Sequence, residues 1–182
     1  MKKIICLLIA FQMLIFSYSF SQQIVLKATA ANYQFKGNVQ LLGWENSMDA
    51  NSFTDRIIAC VSNKLCPSTL STVQIILALS PGLNDFRAVQ LFDQSITSAE
   101  LVLFMPSSGG PFELYRIRME EIKVRSVQEG GSVNEPLTIK LELQPVRIAW
   151  RIQTINPNGS IGTPSKLGWD FARNIAFMPA NF

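Results

Sequence analysis

Two stretches of this chain alternate apolar and polar side chains for longer than an ordinary strand, and each breaks step once by a single residue. In the first, Tyr115, Ile117 and Met119 share one face, with Arg116, Arg118 and Glu120 opposite; past Glu120-Glu121 the apolar positions move to Ile122 and Val124. In the second, Leu137, Ile139, Leu141 and Leu143 alternate with Thr138, Lys140, Glu142 and Gln144. Pro145 interrupts, and Val146, Ile148, Trp150 and Ile152 resume one step out of phase. Successive side chains on a strand point to opposite faces, so a slip of one exchanges the faces. Each slip predicts a bulge or a bend where the strand passes between sheets. Proline cannot donate to a ladder and belongs at such a place. Long bent strands joined by turns suit an orthogonal sandwich or a closed barrel.

The rest of the chain agrees with a mostly β fold of two packed antiparallel sheets. Val73, Ile75, Leu77 and Leu79 alternate with Gln74, Ile76 and Ala78, which reads as a strand buried largely on both faces. Ala99, Leu101 and Leu103 with Val102 and Phe104 read the same way. Ser107-Ser108-Gly109-Gly110-Pro111 predicts a hairpin, and Gln128-Glu129-Gly130-Gly131-Ser132 a second turn. Asn156-Pro157-Asn158-Gly159 predicts a third, before a short last segment around Gly168-Trp169-Asp170-Phe171. One helix is expected. Ser80-Pro81 offers an N-cap and a first-turn proline, and Leu83, Phe86, Val89 and Phe92 recur every three residues, predicting about three turns from Ser80 to near Asp93.

The N-terminus has a different logic. Lys2 and Lys3 precede an apolar run, Ile4 to Phe16, broken only by Gln12, and Ser19 and Ser21 put small residues at the −3 and −1 positions of a cleavage site. This is the order of a secretory signal peptide, and the run is short of the roughly 20 residues a membrane-spanning helix needs. Cleavage is expected after Ser21, leaving 22–182 as one domain outside the cytoplasm, secreted or periplasmic. Removing Lys2 and Lys3 from the 16 basic residues leaves 14 against 13 acidic ones, a balance that marks neither nucleic acid nor an anionic membrane as partner. Two cysteines remain, Cys60 and Cys66. An oxidising compartment permits them to pair, and the other reading is two unpaired small hydrophobes.

The chain contains no histidine, which removes His-dependent triads and His-ligated zinc. Glu120 and Glu121 are neighbours on a strand and point apart, so they make no catalytic pair. Gly109-Gly110 and Gly130-Gly131 lack the lysine and helix of a phosphate loop. Trp44, Trp150 and Trp169 fit a core or a subunit interface better than a sugar platform, because they keep phase with apolar neighbours. No enzyme activity, cofactor or metal is expected.

A string of motifs, in order, resembles the haemolysin-coregulated (Hcp) family of type VI secretion tube proteins. Ser80-Pro81-Gly82-Leu83 resembles its helix start, and Ser98-Ala99-Glu100-Leu101 the strand after it. Tyr115 through Val127, with Val124, resembles its aromatic strand and Val-x-Ser-Val segment. Glu135-Pro136-Leu137 followed by Val146 to Trp150 is similar to the strand and its Trp ending, and Gly159 with Gly168-Trp169-Asp170 resembles the terminal pattern. Leu42-Gly43-Trp44-Glu45 is matched to the family's second strand. The resemblance implies a β-barrel with one short helix and self-assembly into hexameric rings that stack. It also implies small effectors inside, with spike and sheath components as further partners. The row Thr138, Lys140, Glu142 and Gln144 would line a hydrated lumen. Family members assemble in the cytoplasm and carry no signal peptide, so export departs from the pattern. Assembly in the cytoplasm before type VI export is expected if residues 1–21 are not a signal. The competing expectation is an exported monomeric binding module on the same fold. Residues 1–24 fused to a reporter active only outside the cytoplasm should confer activity, and a silent fusion would remove the export reading.

Overall fold

The computed structural model describes residues 22–58, 69–107, 110–156, 160–180 and 182. The cleavage position after Ser21 and both Cys60 and Cys66 fall outside the described residues.

Eight strands and one helix make up the described chain: β1 (Gln23–Thr29), β2 (Met48–Ile58), β3 (Thr69–Ala78), α1 (Leu83–Leu91), β4 (Ile96–Met105), β5 (Phe112–Ser132), β6 (Glu135–Ile152), β7 (Ser165–Asp170) and β8 (Ile175–Ala176). All pairings are antiparallel, in the order β3-β2-β1-β4-β5-β6-β7-β8, and a further β3–β6 pairing closes the sheet on itself. The fold is the mostly β barrel with one short helix that the sequence pattern predicts. No helix among the described residues is long and apolar enough to cross a membrane.

The two phase slips are one feature. Inward-facing rungs run Ile96–Ile122–Pro145 and then Ala99–Met119–Ile148 across β4, β5 and β6. Between these rungs every strand advances three residues instead of two. The faces therefore exchange on all three strands together, and the register is kept through the bend: Ser98 pairs Glu120, which pairs Arg147. Thr97, Glu121 and Val146 form the row where the bend occurs. Glu121 takes the left-handed backbone conformation at φ 52°, and the Val146 carbonyl is taken by the Phe171 N–H at 3.0 Å. True register shifts on β5 and β6 lie elsewhere, between Val124 and Ser126, between Gly130 and Ser132 and, against β4, between Glu113 and Tyr115. Pro145 stands where β6 changes its second neighbour, from β3 at Thr138–Leu143 to β7 at Arg147–Ile152.

Three sequence expectations about strands and turns are corrected. Residues 128–132 are strand, and the turn is Val133-Asn134, because Gly130 and Gly131 are absorbed into the ladder as a bulge. Leu42-Gly43-Trp44-Glu45 is turn, and the second strand is Met48–Ile58. Strand β3 buries Val73, Ile75 and Leu77, but Ile76 is 37% exposed because it faces outward, where no described residue covers the barrel. The both-faces reading does hold for β4, whose Val102 and Phe104 lie with Val25 and Val39 under the loop carrying Leu41 and Trp44.

The helix begins at Leu83 and ends at Leu91, shorter than the Ser80–Asp93 expectation. Ser80 contributes its carbonyl to a tight turn with Leu83 N–H, and its hydroxyl caps nothing. Gly82 N–H donates to Lys36 O at 2.7 Å, and Asp85 accepts from Phe35 N–H at 3.0 Å, so the first turn is tied to the 35–37 segment. A Cβ at Gly82 would sit 2.7 Å from the Phe35 carbonyl carbon, which explains a glycine inside the Ser-Pro-x-Leu start. Leu83, Phe86 and Val89 enter the main core with Phe35, whose ring lies 4.7 Å from that of Phe86. Phe92, the fourth residue of the three-step pattern, is outside it.

At β7, Gly168 lies against Ala149 and under residue 177, where a Cβ would run into the Phe177 carbonyl oxygen. Overfilling of this kind costs about 1–3 kcal/mol. Gly168→Ala should lower the urea midpoint accordingly, and an unchanged midpoint would show that the 175–178 segment does not pack there.

Candidate assembly surface

The barrel's outer face beside the bend row carries charge in a cross-strand pattern. Arg118 reaches Glu100 on β4 at 3.3 Å and Glu120 at 3.3 Å; Arg147 on β6 reaches Glu120 at 3.5 Å and also pairs with Glu121. Arg116 pairs with Glu113 and lies 3.7 Å from Glu100, and Arg151 is 3.7 Å from Glu113. Four arginines and four glutamates thus form one continuous network, most of it half-buried. Single exposed pairs contribute ~0–1 kcal/mol, so the network matters more for fixing strand alignment than any one pair does for stability. Among the described residues the buried Nε groups of Arg116 and Arg147 have no hydrogen-bond partner, and Arg118 Nε lies near Glu120 without hydrogen-bond geometry. Trp44 packs edge-on against Phe104, with the Lys27 and Arg116 cations 5.8 and 5.7 Å from its ring centre.

On the other side, β2 and β7 border a groove. Trp150 on β6 is buried and donates from Nε1 to Asp55 Oδ2 on β2 at 2.6 Å. Tyr115 stacks on Phe53, rings 5.7 Å apart and 12° from parallel. Burial first, and the Asp55 charge second, push the Tyr115 phenol well above the ordinary tyrosine range. Beside this contact Ile57, Trp150, Leu167, Trp169 and Phe171 line an apolar cavity of about 150 Å³. Trp169 Nε1 is buried and has no hydrogen-bond partner among the described residues.

The residues singled out in the sequence scatter. Trp150, Gly168 and Trp169 come together at β6–β7, where Asp170 is buried and accepts from Arg173 N–H at 2.9 Å. Tyr115 and Val124 sit on β5, Pro136 at the start of β6 beside the exposed Val133-Asn134 tip, and Ser80, Pro81 and Leu83 at the helix start. Trp44 is elsewhere, so the three tryptophans share no platform. The row Thr138, Lys140, Glu142 and Gln144 faces outward and is cross-linked, Gln74 donating to Glu142 at 3.1 Å and Lys140 lying 3.4 Å from it. The reading missed Ile57, Leu167 and Phe171 as a wall, and the arginine network's partners on β4 and β6. The alternating Arg116, Arg118 and Glu120 signalled the network, but cross-strand pairing is not written along one strand.

No protein-family profile matches this chain, and no curated protein matches it. Solved structures do. A type six secretion system protein aligns at a TM-score of 0.74 with 12% identity, covering 86% of this chain and 100% of that one. Hcp1 from Salmonella typhimurium aligns at 0.69 with 15% identity, covering 87% and 100%. The secreted protein Hcp3 from Pseudomonas aeruginosa aligns at 0.60 with 12% identity, covering 78% and 96%. At these identities the likeness concerns the backbone, and the chain has the Hcp fold.

A raised Tyr115 pKa means that the folded state holds the phenol proton more tightly than the unfolded chain. That contribution to stability is complete below the ordinary tyrosine range and is lost as pH climbs through it. Urea midpoints from about pH 9 to about pH 11 should fall more steeply for the wild type than for Tyr115→Phe. Parallel curves would contradict the assignment.

Proposed function

We propose that this chain is a ring-forming subunit of a type VI secretion tube, exported by its first 21 residues and working without any bond-making step. The observation that supports the reading is the fold likeness to Hcp1 from Salmonella typhimurium, which covers 100% of that chain and 87% of this one. Several features support it. The outward row of β6 is polar and braced by its own hydrogen bonds and ion pairs, as a wall facing water requires. The chain presents different surfaces on its two sides, an arginine–glutamate face and an apolar groove, which suits a heterologous contact repeated around a ring. Function of this kind comes from shape and contact. Spike, sheath and small effectors are the partners it implies, the last held in the lumen of stacked hexamers.

Purified residues 22–182 should give six-membered rings in negative-stain images and a hexamer mass in sedimentation. Monomers at every concentration would overturn this reading and favour the exported monomeric binding module.

A further inference from the structure

Cleavage after Ser21 makes Gln22 the first residue of the exported chain and frees its α-nitrogen as an amine. Glutamine has a chemistry of its own at that position, because its side chain holds a carboxamide carbon within ring-closing reach of that nitrogen. Asparagine would have to close a smaller, strained ring, and glutamate carries a poorer leaving group.

The structure leaves the reacting groups accessible. Gln22 is exposed and stands outside the ladder, whereas Gln23 opens β1 opposite Phe104 and donates from its carboxamide to Asp49 Oδ1 at 3.4 Å. No described residue holds the Gln22 side chain, so it is free to turn back on its own amine.

The strand that follows has much to lose from trimming. β1 is bonded to β4 from Gln23 to Thr29 and to β2 at Ile24–Leu26, so it links the β2–β3 pair to the rest of the barrel. Val25 is fully buried in the outer cluster and Leu26 in the main core. Proteolysis concentrates at chain ends, and Gln22 alone separates this end from the first rung of β1.

We infer that Gln22, once freed, closes into pyroglutamate and seals the entry to β1, an inference that rests on export by residues 1–21. The α-nitrogen attacks Cδ of its own side chain, and the new N–Cδ bond closes a lactam ring. The Cδ–Nε2 bond breaks, and Nε2 leaves as ammonia, taking one proton from the amine. Nothing is oxidised or reduced, and every reacting atom belongs to Gln22. α-Amino groups titrate at about 8, so a sizeable share is the neutral nucleophile near neutral pH. The lactam nitrogen is uncharged, so the terminal charge disappears, and with it the amine that aminopeptidases require. The Gln22 carbonyl and its peptide bond to Gln23 are untouched, and β1 keeps its rungs.

The test is the intact mass of the full chain, made in an exporting host and harvested fresh from outside the cytoplasm. Most molecules should have the mass of residues 22–182 less one ammonia, with the loss placed on the N-terminal peptide by fragmentation. Gln22→Ala should be cleaved at the same bond, show no loss, and be shortened by an aminopeptidase that leaves the wild type intact. Pyroglutamyl peptidase should make the wild type sensitive too. A wild-type chain that starts at Gln22 with a free amine would overturn the inference and leave export standing. So would cleavage at another bond, or a wild type trimmed as fast as Gln22→Ala. A chain still carrying residues 1–21 would overturn it as well, and its retention in the cytoplasm would also remove the export reading.

Discussion

Strand β6 is bonded to β5 along its whole length, while its other side is divided: β3 takes Thr138–Leu143 and β7 takes Arg147–Ile152. This division closes the barrel. Without the β3 half, β3 would be an open edge, a row of unpaired donors and acceptors prone to pair with other chains. Without the β7 half, Trp150 and Gly168 would lose the ladder that brings them together. The main core follows from the same arrangement. Ile75 and Leu77 of β3 face Ile139 and Leu141 of β6, and Phe86 of the helix joins them from one end.

The bend row makes the division feasible. A strand that kept one phase throughout would turn Ile148 and Trp150 outward once it had turned Leu141 and Leu143 inward. The additional residue taken up together at Thr97, Glu121 and Val146 keeps apolar side chains inside on both sides of the bend. A left-handed glutamate costs about 1 kcal/mol or more. Glu121 is held there by neighbours bonded on both sides and by its ion pair with Arg147. The outer charges lie on this same region of β4, β5 and β6, so the segment that shapes the core also arranges the arginine–glutamate face.

The barrel class, the long bent strands, the hairpin after Met105 and the one helix were legible because each depends on short-range periodicity or turn chemistry. The bend position was legible in two strands, but its alignment into one row across three was not, since that depends on register. Gly130-Gly131 looked like a turn because glycine serves both turns and bulges; only the pairing of Ser132 with Glu135 decides between them. Leu42 to Glu45 misled through its tryptophan, which covers the outer face of β4 from a loop. Ser80 misled because Gly82 spends its N–H on Lys36, delaying the helix. Of the candidate surface, the tryptophans were visible, whereas Ile57 and Leu167 lie far apart in sequence and meet only through closure. Phe92 was assigned to the buried stripe by spacing alone, and the structure leaves it 70% exposed at the helix end.

The most direct test of closure through β6 is residue-by-residue amide hydrogen exchange. The account predicts that the paired amides of Val73–Ala78 and Thr138–Leu143 open only with global unfolding, as slowly as the central β5 amides around Ile117 and Met119. If β2 and β3 exchanged early as a separate unit while β4, β5 and β6 stayed protected, the sheet would be open, and the closed-barrel account would be contradicted.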